Sequence, residues 1–213
     1  MILYLVRHGE TDWNRVRRLQ GWTDVPLNEK GRELAFKTAE GLRDVKFDLC
    51  ISSPLSRAYE TGKIILGERN VPIITDDRLK EINVGDYDGK FCKPGNYQVP
   101  KEEFDDFYNN PWGMKRMPNG ENITDVAKRG TEFLNDILNR PELQDKTILI
   151  ATHACILRGI LNSLYDDPND FWQHKLPDNC SVTALEKVGE KISFIFKDRI
   201  YYDPSLAMNY HRF

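Results

Sequence analysis

Four short runs of the chain are predominantly apolar: Ile2–Val6, Phe47–Ile51 with Asp48 as its one charge, Val71–Thr75 and the "TILIAT" segment that ends just before His153. Runs of this length, lacking the every-second-residue alternation of a half-exposed strand, predict strands covered on both faces. The stretches between them carry helical spacing. After Asn28, a candidate N-cap, Leu34, Ala35, Thr38, Ala39 and Leu42 recur along one face, with Gly41 near the end. "SSPLSRAYETGKIIL" offers Ser53 as N-cap, Pro54 at the first helical position and a helix to about Leu66. Ile123, Val126, Phe133, Leu134, Ile137 and Leu138 give a third helix over Asn122–Asn139, and a fourth is predicted over Cys155–Leu164. Ser181–Lys187 and Lys191–Phe196, joined by "VGE", read as a hairpin at a sheet edge.

Strands alternating with helices predict an α/β fold: a mostly parallel sheet with helices on both faces. The 213 residues suit a single domain, 1–213. Its least regular part, from Asp86 to Glu121, is rich in turn residues and aromatics, and predicts a surface insertion with a short helix near Lys101–Tyr108. Composition narrows the function. A net charge of −3 and a pI near 5.9 point away from a general nucleic-acid partner, so an anionic ligand has to be held by a local cluster of cations. Cys50, Cys92, Cys155 and Cys180 are widely spaced, which suits reduced thiols in a cytoplasmic protein better than a metal site or a disulfide framework. Met1–Val6 is too short for a signal peptide, and no apolar run approaches the roughly 20 residues of a membrane span.

In a parallel sheet, ligands bind beyond the carboxyl ends of the strands. The first strand delivers Arg7, His8 and Gly9 there, the second Ser52 and Ser53 with Arg57 a turn later, the loop after the third Glu81, and the fourth His153. Two guanidiniums match phosphoryl oxygens with planar forks of donors. A neutral imidazole is a nucleophile, a second one can donate to an equatorial oxygen, and a carboxylic acid can protonate a leaving alcohol. Together these are the parts of a covalent phosphoryl transfer that needs no metal or cofactor. Each residue alone has a plainer reading: a histidine at a strand end, a salt-bridged arginine on a helix or an exposed glutamate is usually structural. Their convergence is what favours an anion site. His174 and His211 follow no buried strand and are read as structural; Trp13 and Trp22 suit lining or packing equally.

These residues carry a resemblance. "LVRHGETDWN" is similar to the signature of the histidine phosphatase superfamily, which includes phosphoglycerate mutases and many small-molecule phosphatases. "GWTDVPLNEKG", "SSPLSRAYETG", "EINVGDYDG", "PNGEN" and "ILIATHACILRGIL" follow in the family's order, so the likeness covers most of the chain. The resemblance implies a three-layer α/β/α sandwich of the phosphoglycerate mutase-like type, with His8 as the phosphorylated nucleophile and Glu81 as proton donor. It further implies that Arg7, Arg57 and His153 form the phosphate pocket, that Asn14 adds a hydrogen bond, that Gln20 and Gly21 lie near the substrate, and that 86–121 caps the pocket. Ala154 and Cys155 follow His153 where glycine is frequent in the family, and Asn122 stands where serine is frequent.

The acid motif and the closing hairpin resemble the phosphatase branch more than the mutases. The expectation is a phosphomonoester hydrolase acting on a small phosphorylated metabolite, as a monomer or homodimer, without nucleic-acid or membrane partners. Its alternatives are a cofactor-dependent phosphoglycerate mutase, a non-catalytic sensor of a phosphorylated ligand, and a metal hydrolase on His8, His153 and Glu81, which the neighbouring arginines disfavour. For the leaving group, Tyr97, Phe104, Phe107, Tyr108 and Trp112 offer flat surfaces, and Lys101, Lys115 and Arg116 a second anion contact. That set points to a sugar phosphate or a phosphorylated sugar acid.

Overall fold

In the computed structural model, which describes residues 1–93 and 95–207, the first apolar run forms β1 (Ile2–Arg7). The polar loop after it contains a short helix that the sequence pattern does not announce, α1 (Asp12–Val16), opened by a capping box between Thr11 and Asn14. Next come α2 (Glu29–Gly41), β2 (Leu49–Ser52), α3 (Ser56–Leu66) and β3 (Ile73–Thr75). The irregular segment holds a two-strand ribbon, β4 (Cys92–Lys93) with β5 (Asn96–Tyr97), and then α4 (Lys101–Asn109). After it the chain forms α5 (Ile123–Asn139), β6 (Thr147–Thr152), α6 (Ala154–Leu161), β7 (Val182–Val188) and β8 (Lys191–Arg199).

Of the two caps read from the sequence one forms and one does not, and Asn122 adds a third. Asn28 accepts the Gly31 N–H at the start of α2. Asn122 opens α5 with a capping box to Asp125, so the residue standing where serine is frequent does a serine's work. Ser53 does not cap α3. That helix begins three residues later, after Leu55; its first N–H, of Ser56, goes to the Asp24 carboxylate at 2.8 Å, while the Ser53 hydroxyl meets His153. The third strand is also shorter than its apolar run. It sits at the sheet edge, its Ile74 is 44% exposed, and Pro72 just before it has no N–H to give a ladder. The fourth helix ends at Leu161 and continues as a tighter turn, Asn162–Leu164.

Among the described residues one six-stranded sheet runs in the order β3-β2-β6-β1-β7-β8. The first four are parallel neighbours; β7 and β8 close the sheet as an antiparallel hairpin. Strand alternation sorts the core into two faces. Leu3, Leu5, Ile148 and Ile150 pack with residues of α5 and α6, whereas Val6, Leu149 and Ala151 pack with Leu42, Ile65 and Leu66 beside α2 and α3. Helices therefore cover both faces, giving the α/β/α layering. Gly130 and Gly159 let α5 and α6 approach closely: a Cβ on Gly130 would lie 2.6 Å from the backbone of Gly159. Among the described residues no helix is long and apolar enough to cross a membrane.

Candidate active site

Register places the two histidines. β1 and β6 pair so that Arg7 stands opposite Thr152, and the next residue on each strand is a histidine. The ladder continues one bond further, His8 N–H to Thr152 C=O at 2.9 Å, and the rings lie 5.1 Å apart between centroids. β2 flanks β6 on its other side with Ser52 opposite Ala151, so Ser53 arrives beside His153. Residues distant in sequence thus meet because their strands end together, beyond the carboxyl edge of a parallel sheet.

The hydrogen bonds assign opposite tautomers to the two rings. His8 Nδ1 is 2.7 Å from the Gly9 carbonyl oxygen, which can only accept, so Nδ1 carries the hydrogen and Nε2 keeps its lone pair. His153 Nδ1 is 3.2 Å from Arg57 Nε, which can only donate, so here Nδ1 keeps the lone pair and Nε2–H meets Ser53 Oγ at 2.8 Å. Burial, then the Arg57 and Arg7 guanidiniums, hold His8 well below the ordinary histidine range, against the opposing bond to Gly9. Burial and then Arg57, His8 and Arg7 do the same to His153. Both imidazoles are neutral at neutral pH, as a nucleophile requires.

Arg57 is fully buried on the first turn of α3. Besides His153 it donates through Nη1 to the Thr23 carbonyl at 3.0 Å and through Nη2 to the Gly21 carbonyl at 2.7 Å. Burial lowers its pKa to about 10, so it stays charged, with Glu81, Asp24 and Asp88 opposing that loss. Asp88 ties the same loop from outside, accepting from Gly21 N–H at 2.9 Å and Thr23 N–H at 2.7 Å. The Gln20 amide oxygen, turned toward Arg57, accepts from Nε and Nη1 at 3.2 and 3.3 Å while its nitrogen donates to Thr11. Arg7 donates through Nη1 to the Pro177 carbonyl at 2.5 Å. Asn14 is fixed by its capping box, and Asn179 donates to the His8 carbonyl at 3.0 Å.

Glu81 meets the start of α6. Its Oε1 accepts from Ile82 N–H at 2.9 Å, Cys155 N–H at 3.1 Å and Ile156 N–H at 3.3 Å. Among the described residues Oε2 takes only the Cys155 N–H, at 3.3 Å, and is the less engaged of the two oxygens. Trp22 Nε1 and Arg129 Nη2 donate to the Glu81 carbonyl at 2.8 and 3.3 Å and anchor its backbone.

Arg7, His8, Asn14, Gln20 and Glu81 line one open cleft, with Arg57 and His153 behind them. The rest of its wall is mostly apolar: Leu19, Ile82, Val84, Phe107, Tyr108, Trp172 and Leu176. Of the aromatics expected there, Phe107 and Tyr108 do line it. Phe104 and Tyr97 pack on each other instead, and Trp112 packs on Phe171 and donates to Asn169. Lys101 and Arg116 pair with Asp105 and Asp125, and Lys115 lines a separate hollow beside α4; the wall's further cations are Arg17 and Arg18. Gly9 is needed for packing, since a Cβ there would lie 2.5 Å from the Gly31 carbonyl oxygen of α2. His174 is exposed and pairs with Asp170, and His211 lies outside the described residues.

Sequence reasoning missed Asp88, Asn179 and the 165–177 segment. Arg158 pins that segment from beneath, paired with Asp198 at 2.7 Å and donating to the Lys175 carbonyl at 3.0 Å. No periodicity marks these contacts, because each joins residues far apart in the sequence. Among the described residues no three His, Cys, Asp or Glu side chains are grouped as metal ligands.

The family model for the histidine phosphatase superfamily (branch 1) matches residues 3–196. A probable phosphoglycerate mutase, GpmB, of Yersinia pestis (strain Pestoides F) is 33% identical over 186 residues, covering 86% of this chain and 84% of that one. Among solved structures, Bacillus stearothermophilus YhfR superposes with a TM-score of 0.85 at 36% identity, covering 93% of this chain and 97% of that one. The α-ribazole phosphatase of Shigella flexneri gives 0.78 at 28% identity, covering 94% and 95%. The strand-end histidines thus sit in a chain matched over nearly its whole length, and it belongs to the histidine phosphatase superfamily, branch 1.

Proposed function

We propose that the protein is a phosphomonoester hydrolase that works through a phosphohistidine at His8. The observation that carries this reading is the His8 tautomer: the Gly9 carbonyl holds the hydrogen on Nδ1, leaving Nε2 with its lone pair on a ring kept neutral by burial and by the Arg57 and Arg7 charges. Arg7, Arg57 and His153 surround the phosphoryl group, and Asn14, Gln20 and Gly21 complete its pocket. Nε2 attacks phosphorus, the P–N bond forms and the P–O ester bond breaks, with Glu81 giving its proton to the departing alcohol oxygen. Water then gives a proton to the Glu81 carboxylate as its oxygen bonds to phosphorus. The P–N bond breaks, and phosphate leaves with His8 and Glu81 restored.

The apolar wall supports a leaving group with an apolar face, and so shifts the expected substrate away from a bare sugar phosphate or sugar acid. The segment 86–121 acts as the cap within a single domain, contributing Cys92, Phe107 and Tyr108 to the cleft. A second reading, phosphoglycerate mutase, draws on the name of the Yersinia relative. A mutase must exclude water and retain a charged acid, for which this wall supplies little beyond Arg17 and Arg18. Rapid quench with a ³²P-labelled aryl phosphate is expected to trap an acid-labile, base-stable phosphoenzyme whose decay releases inorganic phosphate. No phosphoenzyme, or an acid-stable one, overturns the mechanism; return of the label to phosphoglycerate with no phosphate release establishes the mutase.

A further inference from the structure

Ser53 has no part in the phosphoryl transfer just described, yet it is fully buried against the ring that completes the phosphate pocket. Its position is set by β2, whose ladder extends through Ser53 N–H to the Ala151 carbonyl at 2.9 Å. Its hydroxyl accepts from Leu55 N–H at 3.3 Å and stands 2.8 Å from His153 Nε2. On the other side of the ring, Nδ1 faces Arg57 Nε, and Arg57 reaches on to the carbonyls of Thr23 and Gly21. A continuous chain of donors and acceptors therefore runs from Ser53 through the imidazole to a phosphate-binding guanidinium and its loop.

The direction of that chain is forced. Arginine never accepts, so its bond to Nδ1 exists only while the ring hydrogen is on Nε2. A buried Nε2–H needs an acceptor, and Ser53 Oγ is the one the structure supplies. Without it Nε2–H is buried unpaired, and moving the hydrogen to Nδ1 brings no relief, because Nδ1–H would meet Arg57 Nε–H, donor against donor. The ring can find another acceptor for Nε2–H only by turning, which takes Nδ1 away from Arg57 and leaves Nε to the Gln20 amide alone.

We propose that Ser53 is a positioning residue for the phosphate pocket: by accepting from His153 Nε2–H it holds the ring in the orientation in which Nδ1 anchors Arg57. Side chains that orient a ligating imidazole through its second nitrogen are commonly worth about 10- to 100-fold in affinity or activity. The same range is expected for phosphate held by Arg57. This rests on reading Arg57 as a phosphate ligand, but its decisive readout needs no turnover.

The test is ¹⁵N NMR of histidine-labelled full-length protein at neutral pH, together with titration by inorganic phosphate. Wild-type His153 is expected as a single Nε2–H tautomer; a wild-type ring protonated on Nδ1 overturns the proposal before any variant is made. In Ser53→Ala the Nε2–H proton, bonded and slow to exchange in the wild type, is expected to exchange much faster, with phosphate affinity down about tenfold or more. Ser53→Thr, which keeps the hydroxyl, is expected to restore slow exchange and affinity. A Ser53→Ala protein with both unchanged also overturns it. If exchange and affinity change as expected while no phosphoenzyme forms on any monoester, the hydrolase reading falls and the role of Ser53 stands.

Discussion

At one end of the cleft, Arg7, His8, Arg57 and His153 are almost wholly buried, and each sits at a strand end or on the first turn of the following helix. At the other end, Leu19, Tyr108 and Leu176 are half-buried and come from a loop, the α4 segment and the stretch after α6. The first set is over-determined: every ring nitrogen and guanidinium just described for His153 and Arg57 has a named partner. The second set makes contact surface and few directional bonds. Chemistry that needs an exact tautomer belongs on sheet register, whereas selection among leaving groups belongs on segments that can change without disturbing the register.

The comparison breaks most visibly at His8. On the proposed mechanism His8→Ala removes the attacking nitrogen, so kcat for any monoester is expected to fall by on the order of 10⁴-fold, with the labelled phosphoenzyme lost. Equal loss for all leaving groups is part of the expectation; a substrate that escapes it shows a second nucleophile. Glu81→Gln probes the junction of the two ends. It is expected to slow alkyl monoesters by about 10²- to 10⁴-fold and p-nitrophenyl phosphate much less, because a good leaving group needs little protonation. Equal loss on both would assign Glu81 to anchoring the start of α6 instead of acid catalysis.

Leu19→Ala and Tyr108→Ala sharpen the contrast from the other side. Each is expected to raise KM for monoesters with apolar leaving groups by about tenfold or less, the scale of one buried apolar contact. The inhibition constant of inorganic phosphate should stay where it is in the wild type. A matching loss of phosphate affinity would show that the wall and the phosphate pocket form one mechanical unit.

The phosphate end was largely legible in the sequence, and the physical reason is register. Predominantly apolar runs locate the strands, and in a parallel sheet the next residues of Ile2–Val6 and "TILIAT" can only emerge at one edge. What could not be read was orientation. Nothing in "SSPLSRA" distinguishes a serine capping α3 from a serine bonded to His153, because both use the same hydroxyl and only the β2–β6 pairing decides. The leaving-group end was half legible. Phe107 and Tyr108 fall in the insertion whose composition drew notice, but Phe104, Tyr97 and Trp112 share that composition and pack elsewhere. Trp172 and Leu176 depend on α6 and β8 holding the 165–177 segment through Arg158, a contact spanning residues 158 to 198.

The smallest expected effect concerns stability against pH, and it also separates the two ends. His8 and His153 are held well below the ordinary histidine range, first by burial and then by the arginines. The unfolded chain therefore takes up protons near pH 6.5 that the folded chain refuses. Between that value and the folded pKa the unfolded state binds more protons, so stability rises with pH, and it is lost as pH falls below about 6.5. Each histidine adds a slope approaching 1.4 kcal/mol per pH unit in that window. Removing one ring with His153→Gln should make a plot of urea-derived unfolding free energy against pH shallower by about that amount between pH 6 and 5. Leu19→Ala should lower the plot without changing its slope. Parallel lines for wild type and His153→Gln would mean that the ring titrates alike in the folded and unfolded chain, and the lowering by burial and the arginines would have to be abandoned.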